Sequence, residues 1–479
     1  MALNVLSNRK IAVAVWIASA IALGLGLGVL VASTSPWFVF AALLALIGGL
    51  LALTSAQWGL FGFVAIACLL PFAALPVKIG FTPTFLDLTM LLFFGVWLLR
   101  LLAEPEEKLA STPLDVPLIV FLGLAFVSFV LGSAYSFSQE TVRHFVEIVM
   151  AVSLYFGVVN NVKNQGQLER IVRLAILGGF AAATIGIVLY FLPRTTAIAL
   201  LSSLRVFNYP SGSVLRFIND DPNLPMRAIS TSIDPNVLGG LLVLVTTLAT
   251  SQLLSPKPAV NRWLLVPMGT AMVICLLLTY SRGSWVGLAA ALLFIATVKY
   301  RRLWLLLLIF TAMLLLLPQA DIFVGHLVSG VKFEDRAAAM RLGEYRDALT
   351  LISRYPLFGI GFGEAPSVDV YRGVSNVYLL IAEEMGLIGL GVFLSVVGLF
   401  FVHVWRCLGQ VTDQALQNTL LGLTAALVGA MVAGIFDHYF FNLQFPHTVG
   451  MFWLYTGLAV AITRFGRAQH EATENTNVP

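Results

Sequence analysis

Three arginines in this sequence sit where an integral bundle of apolar segments has little use for positive charge. In RLGEYRDALTLISRYPLFGIGFG, Arg341 is followed by Tyr345, Ala348 and Ile352 at steps of four, seven and eleven, each within about 40° of the direction of Arg341 on a helix of 3.6 residues per turn. In TYSRGSWVG, Arg282 occupies a tight turn between two apolar runs; in RAISTSIDPNVLGG, Arg227 stands just before Asp234, Pro235 and Asn236, where another run opens. A guanidinium is a planar fork that holds phosphate or carboxylate oxygens through paired N–H donors, whereas lysine is a hydrated point charge. The chemistry these residues suggest is the holding of an anion. Each also has a plainer reading. Arg341 and Arg282 can lay their stems along apolar surface and reach water, and Asp234 with Pro235 is a complete helix cap. Arg354 closes the first stretch, and Arg346 points away from its apolar stripe.

Acids and histidines are fewer. In GVSNVYLLIAEEMGLIGLGVF, Asn376 can cap a helix, and Glu383 and Glu384 follow two turns later, about 10–12 Å further in. A carboxylate at that depth in a membrane is costly, so it is either functional or paired with an arginine such as Arg282. In FDHYFFNLQFPHTVG, Asp437, His438 and His447 lack a third well-placed metal partner and fit hydrogen bonding or general-base work better. Asp87 and Glu147 fall near expected helix ends and read as structural. The three cysteines, Cys68, Cys275 and Cys407, form neither a disulfide framework nor a zinc spacing.

A membrane must position these residues. The chain has 479 residues, is 59% hydrophobic and 11% charged, and carries a formal net charge of +4, a balance unlike that of a soluble domain. No nucleic-acid partner is expected. Apolar runs recur near 11–32, 37–54, 58–76, 85–103, 114–135, 145–160, 171–192, 236–254, 263–280, 284–299, 303–317, 377–405, 417–436 and 449–464. Most are near the length of spanning helices, about 17–25 residues, and none has the strict alternation of barrel strands. The fold class is therefore all-α: a polytopic helix bundle with about 12–14 transmembrane helices and two long extracytoplasmic loops. The first run follows the basic SNRK, yet it exceeds the roughly 7–15 residues of a cleavable segment and is read as a retained span. Short connections holding Lys163, Arg262, Lys299 and Arg406 put both termini in the cytoplasm by the positive-inside rule.

The segments are then N-terminal transmembrane helices over 1–192, an extracytoplasmic loop over 193–235, and transmembrane helices over 236–317. A long extracytoplasmic loop with an amphipathic helix follows over 318–376, then C-terminal transmembrane helices over 377–467 and a disordered polar tail over 468–479.

The order of RAISTSIDPN, YSRGSWVG, R-x-x-x-Y-x-x-A with YPLFGIGFG, and SNVYLLIAEEMGLIGL resembles the O-antigen ligase and O-antigen polymerase superfamily, over residues 225–460. The resemblance implies a glycosyltransferase of the bacterial cytoplasmic membrane that moves glycan from a polyprenyl diphosphate carrier, its substrate, to a glycan acceptor on the outer face. It implies the bilayer and a chain-length regulator as partners; no cofactor or metal is expected, because arginine can do the electrostatic work and the outer loops lack an acidic ligand cluster. Arg282 and Arg341 match the family's diphosphate-binding arginines; Pro356, Gly359, Gly361 and Gly363 match its loop motif, and Glu384 with Gly386 its E-x-G. Catalysis would fall to Arg341, Arg282 and Glu384, and substrate binding to Arg227, Asn236, Arg354, Tyr345, Asn376 and His438. The base stays open among Glu384, Glu364, Asp369 and His438. Ser375 stands where ligases typically carry a histidine, which favours an O-antigen or exopolysaccharide polymerase over a ligase acting on lipid A core or protein. A transporter, the alternative from another class, calls for interrupted helices in inverted repeats, and no such repeat is found.

Overall fold

The computed structural model describes residues 55–75, 81–104, 108–132, 138–212, 214–316, 324–325, 336–362 and 373–476. The expected spans at 11–32 and 37–54, together with Gly363, Glu364 and Asp369, lie outside the described residues. Among those described are fourteen α-helices and one short two-stranded ribbon. In order, the first helices are α1 (Ala56–Leu69), α2 (Phe85–Ala103), α3 (Asp115–Gly132), α4 (Gln139–Asn161), α5 (Gln165–Phe191) and the short α6 (Arg194–Ser203). The ribbon pairs β1 (Arg216–Phe217) antiparallel to β2 (Met226–Arg227), with Arg216 opposite Arg227. Then come α7 (Pro235–Leu253), α8 (Arg262–Leu278), α9 (Arg282–Val298) and α10 (Arg302–Leu315). The remainder is α11 (Arg336–Arg354), α12 (Val377–Leu408), α13 (Gln414–Ala433) and α14 (Pro446–Thr476).

Eight of these, α2, α3, α4, α5, α7, α12, α13 and α14 as far as Gly466, are long and apolar enough to cross a membrane; α1, α8 and α9 are shorter apolar helices. The protein is an all-α polytopic membrane protein. Two expectations need correcting. The connection over 193–235 is partly regular, holding α6 and the ribbon, because Ala197 and Leu201 of α6 bury against the apolar residues around them. The tail after Arg467 continues the helical backbone of α14 to Thr476 instead of being disordered throughout.

Burial sorts the helices. In α7 and α14, 83% and 89% of the spanning window is inside the protein, against 28% in α2 and α3, so the first pair forms the interior and the second faces lipid. α5, α8, α9 and α13 surround α7, α14 lies against α4 and α13, and α12 packs on α3 and α11 but only lightly on α13. Gly287 of α9 and Gly429 of α13 sit so close that a Cβ on either would fall 2.7 Å from the other's carbonyl oxygen, the small-residue contact that lets membrane helices pack backbone to backbone.

Helix starts follow their caps. Thr84 and Asp87 form a reciprocal box at α2, with N–H···O distances of 2.8 and 3.0 Å, and Asp234 accepts from the Asn236 and Val237 amides at 2.7 and 3.0 Å at α7. The starts of α7, α9 and α12 and the ends of α8 and α13 gather at one end of the bundle, together with the ribbon and the Arg341–Tyr345 part of α11.

Candidate functional site

At that end the three guanidiniums converge. Arg227, on β2, donates through Nε to the Thr279 carbonyl at 2.8 Å and through Nη2 to the Asn236 side-chain oxygen at 2.6 Å. The neighbouring amide of Ala228 donates to the Leu278 carbonyl at 2.8 Å, so the ribbon is tied to the end of α8, one turn before Arg282 opens α9. Burial pulls the Arg227 guanidinium from its usual 12.5 down to about 10; Asp234 and Asp437 oppose that fall, and Arg341 and Arg282 add to it. Charges must be close to act on one another through protein. Arg227 therefore belongs to a cluster of three cations and two carboxylates drawn from the ribbon, the cap of α7, α9, α11 and the connection after α13.

Asp437, which the sequence offers for hydrogen bonding or general-base work, stands beside Arg341. It is buried, 7% exposed, and its Oδ2 lies 3.8 Å from Arg341 Nη2. Burial raises its pKa first, with His438 and Arg341 pulling the other way. The need for an anion near Arg341 was legible; which anion was not, because Asp437 comes from a connection far off in sequence. Tyr439 anchors that connection, its ring against Gly240 of α7 and its hydroxyl 3.3 Å from Ser284 Oγ on α9.

His438 follows Asp437, and its backbone N–H donates to the Asp437 carboxylate at 2.8 Å. Its Nδ1 is 3.0 Å from the Val374 carbonyl. A carbonyl only accepts, so Nδ1 carries the hydrogen, and Nε2 of the neutral ring keeps a lone pair. The ring stacks on Phe445 and stays partly accessible. An imidazole is thus delivered one residue from Ser375 by a different part of the chain. His447, by contrast, is buried edge-on between Phe72 and Phe445. Among the described residues no group of three His, Cys, Asp or Glu side chains could hold a metal ion.

Tyr345 and Asn376 frame this site. Asn376 caps α12 by accepting from the Tyr378 and Leu379 amides at 2.9 and 3.0 Å, and donates from Nδ2 to the Ile435 carbonyl at 2.8 Å. Tyr345 Oη reaches the Ser375 and Ile435 carbonyls at 3.4 Å each, and burial raises its pKa. Both residues spend these bonds on backbone and hold α11, α12 and the Asp437 connection together. Arg354 is exposed and lies about 20 Å along α11 from Arg341 at 1.5 Å per residue, so it is not part of the cluster.

Glu384 has a different setting from the one its position suggests. α12 breaks at Gly386, whose φ of 71° and ψ of −179° are non-helical. Into the break docks the stretch PLFGIG. Ile360 and Gly361 donate their amides to the Glu383 and Glu384 carbonyls at 2.9 and 3.0 Å, and the Leu387 amide donates to the Pro356 carbonyl at 2.8 Å. A Cβ on Gly386 would collide with the Leu357 carbonyl oxygen, and one on Gly359, itself at φ 70°, with the Glu384 carbonyl. Only glycine fits either place. The residues after the break, 387–408, rise about 33 Å, enough to cross the membrane without the first turns. Glu383 and Glu384, at 1% and 5% exposure, stand two turns into α12 as expected from the Asn376 cap, enclosed by protein at a knot of backbone.

Residues 268–394 match the protein-family model described as O-antigen ligase. No curated protein matches the chain. The matched region runs from α8 to the first part of α12 and contains Arg282, Arg341 and the knot, while Arg227, Asp234, Asp437 and His438 are contributed from either side of it.

Proposed function

We propose, from the match of residues 268–394 to the O-antigen ligase family model, that this chain is a membrane glycan transferase of the O-antigen ligase and polymerase superfamily, a polymerase moving a growing glycan from a polyprenyl diphosphate to a hydroxyl of another lipid-linked unit. The observation that carries this reading is the convergence of Arg227, Arg282 and Arg341 on one another. The acceptor oxygen bonds to the anomeric carbon as the bond from that carbon to the diphosphate oxygen breaks, and the electron pair leaves with the diphosphate. Negative charge grows on the leaving group, so guanidiniums fixed beforehand stabilise the transition state more than the bound donor. The starts of α7 and α9 add two helix N-termini at the same place.

The acceptor's proton goes to His438 Nε2, which the Nδ1 bond to Val374 leaves open. Glu384 then acts through its backbone carbonyl, by holding the docked stretch in place, and this reading assigns its carboxylate no proton. The active end faces away from the cytoplasm.

A second reading, ligation to lipid A core or protein, draws support from His438, since the site has an imidazole although Ser375 replaces the histidine of typical ligases. The test is purified protein in liposomes with lipid-linked oligosaccharide. A ladder of longer lipid-linked glycans supports the polymerase; transfer to added lipid A core with no ladder supports the ligase. Solute flux with every glycan unchanged would overturn both.

A further inference from the structure

His438 can take a proton in only one of its neutral tautomers. Its Nδ1 hydrogen is committed to the Val374 carbonyl at 3.0 Å, so whatever fixes that carbonyl also decides which ring nitrogen keeps a lone pair. Val374 is fully buried and belongs to a strap, residues 373–376, that leads into α12. The strap opens at Gly373, whose φ of 94° is a left-handed conformation that glycine adopts without steric cost. The Val374 oxygen also accepts the Asn376 amide at 2.7 Å, so two donors use its two lone pairs.

The peptide N–H groups on either side of Val374 are both held by carboxylates. The Gly373 amide donates to Glu383 Oε1 at 3.2 Å, and the Ser375 amide donates to Glu344 Oε2 at 3.0 Å. Glu383 lies in the first part of α12 at 1% exposure, while Glu344 lies half-buried on α11. The strap is thus fastened from two helices, and an N–H donated to an ionised carboxylate makes a bond about twice as strong as a neutral pair. Tyr345, the next residue on α11, reaches the Ser375 carbonyl with its hydroxyl at 3.4 Å. Helix α11 therefore grips Ser375 at both its N–H and its C=O. Arg341 stands one turn before Glu344, about 4.5 Å along the same helix, so the turn that brings a guanidinium to the cluster also brings the carboxylate that fastens the strap.

We infer that Glu344 is a positioning residue for the proton transfer: by accepting the Ser375 N–H, its carboxylate holds the Val374 carbonyl against His438 Nδ1 and so leaves Nε2 as the proton acceptor. The inference rests on the proposed role of His438 and adds what sets the tautomer. Glu344 itself touches neither donor nor acceptor. Without it the strap loses its hold on α11 at the Ser375 N–H, and the imidazole is free to carry its hydrogen on Nε2, where no further proton can be received. The guanidiniums keep their own supports, Arg227 on Thr279 and Asn236, and Arg341 beside Asp437. Donor binding is then unchanged while turnover falls. The rival account is electrostatic, since a carboxylate one turn from Arg341 acts on that guanidinium through its charge alone.

Variants of Glu344, assayed for transfer in liposomes with defined lipid-linked donor, separate the two accounts. Glu344→Ala should lower kcat about 10–100-fold, the scale of a small misplacement near the reacting atoms, with KM for the donor unchanged. Glu344→Asp keeps the charge one methylene short of Ser375 and should be as slow, which also keeps the test available if the alanine variant does not fold. Glu344→Gln loses the charge but keeps an acceptor oxygen at the right reach, and should recover to within a few-fold of wild type. In a His438→Gln background, Glu344→Asp should cost nothing further, because it acts only through the imidazole. A slow Gln variant beside a fast Asp variant overturns the inference in favour of charge acting on Arg341, and an undiminished further loss in the His438→Gln background overturns it in favour of general support of the fold. A wild-type rate in His438→Gln overturns the base assignment and this inference with it, whereas unchanged kcat in Glu344→Asp beside a slow His438→Gln overturns this inference alone.

Discussion

Replacing Arg341 tests the core of the proposed chemistry, because the Asp437 carboxylate beside it can be removed with it. Arg341 Nη2 stands 3.8 Å from Asp437 Oδ2, and the arginine side chain is 22% exposed. At that separation and an effective dielectric of about 20, one charge pair is worth about 4 kcal/mol before desolvation and screening are subtracted. A donor aimed at a developing oxyanion contributes about 2.7–4 kcal/mol, or about 10²–10³ in kcat. Arg341→Gln, which loses the charge, should fall in that range. Arg341→Lys keeps the charge but not the fork and should lose about 10–100-fold, with most of the loss in kcat since the charge on the diphosphate is larger in the transition state. The rival explanation is structural: without Arg341, buried Asp437 has lost a counter-charge, and such breakage alone can disable a site. The double variant Arg341→Gln with Asp437→Asn separates the two. Rates of glycan transfer from defined lipid-linked donor, measured in liposomes beside melting temperatures, should leave the double variant as inactive as the single. Recovery to within a few-fold of wild type would reduce Arg341 to a neutraliser of Asp437 and remove it from the reaction.

His438→Gln should lower kcat by about 10²–10⁴, the usual contribution of a general base, whereas Glu384→Gln should leave kcat within a few-fold of wild type; the opposite pattern would transfer the proton to Glu384. Burial holds Arg227 at about 10 in place of 12.5, so it is charged at neutral pH and loses its proton as pH rises through about 10. Between those values the unfolded chain binds a proton that the folded chain has released, so the burial penalty on stability present at neutral pH is relieved as pH climbs through that window, while donor binding weakens there. Donor affinity measured from pH 7 to 11 should drop with a midpoint near 10, and Arg227→Gln, weaker throughout, should lack that drop. Gly386→Ala and Gly359→Ala force both a side chain at positive φ and a collision with facing backbone; each should cost at least about 1–3 kcal/mol, read as a lower melting temperature and a poorer monodisperse yield, and unaltered stability would refute the role given to the knot.

The bundle is legible in sequence because a membrane demands long apolar runs, and the ends of those runs carry their own caps. α2 and α7 begin where Thr84 and Asp234 say they should. The break in α12 escapes the same reasoning: Gly386 is its one residue with non-helical dihedrals, and a hydrophobic run does not register a single turned peptide. Its partner is PLFGIG, so two stretches that look like separate motifs are the two faces of one backbone contact. The site escapes for a related reason. Periodicity relates residues within one helix, whereas Arg227, Arg282, Arg341 and Asp437 arrive from four different elements and meet only because those elements end at the same level. That arrangement also explains why carboxylates stand in a place proposed for a dianion. Three guanidiniums and two helix starts would repel one another in an empty site, and Asp234 and Asp437 offset that repulsion. Asp234 is bound to the α7 cap at 2.7 and 3.0 Å, but Asp437 holds Arg341 at 3.8 Å, long for a charge-assisted hydrogen bond. A diphosphate able to approach more closely can take Arg341 from Asp437, and the carboxylate it displaces is the neighbour of the imidazole that receives the acceptor's proton.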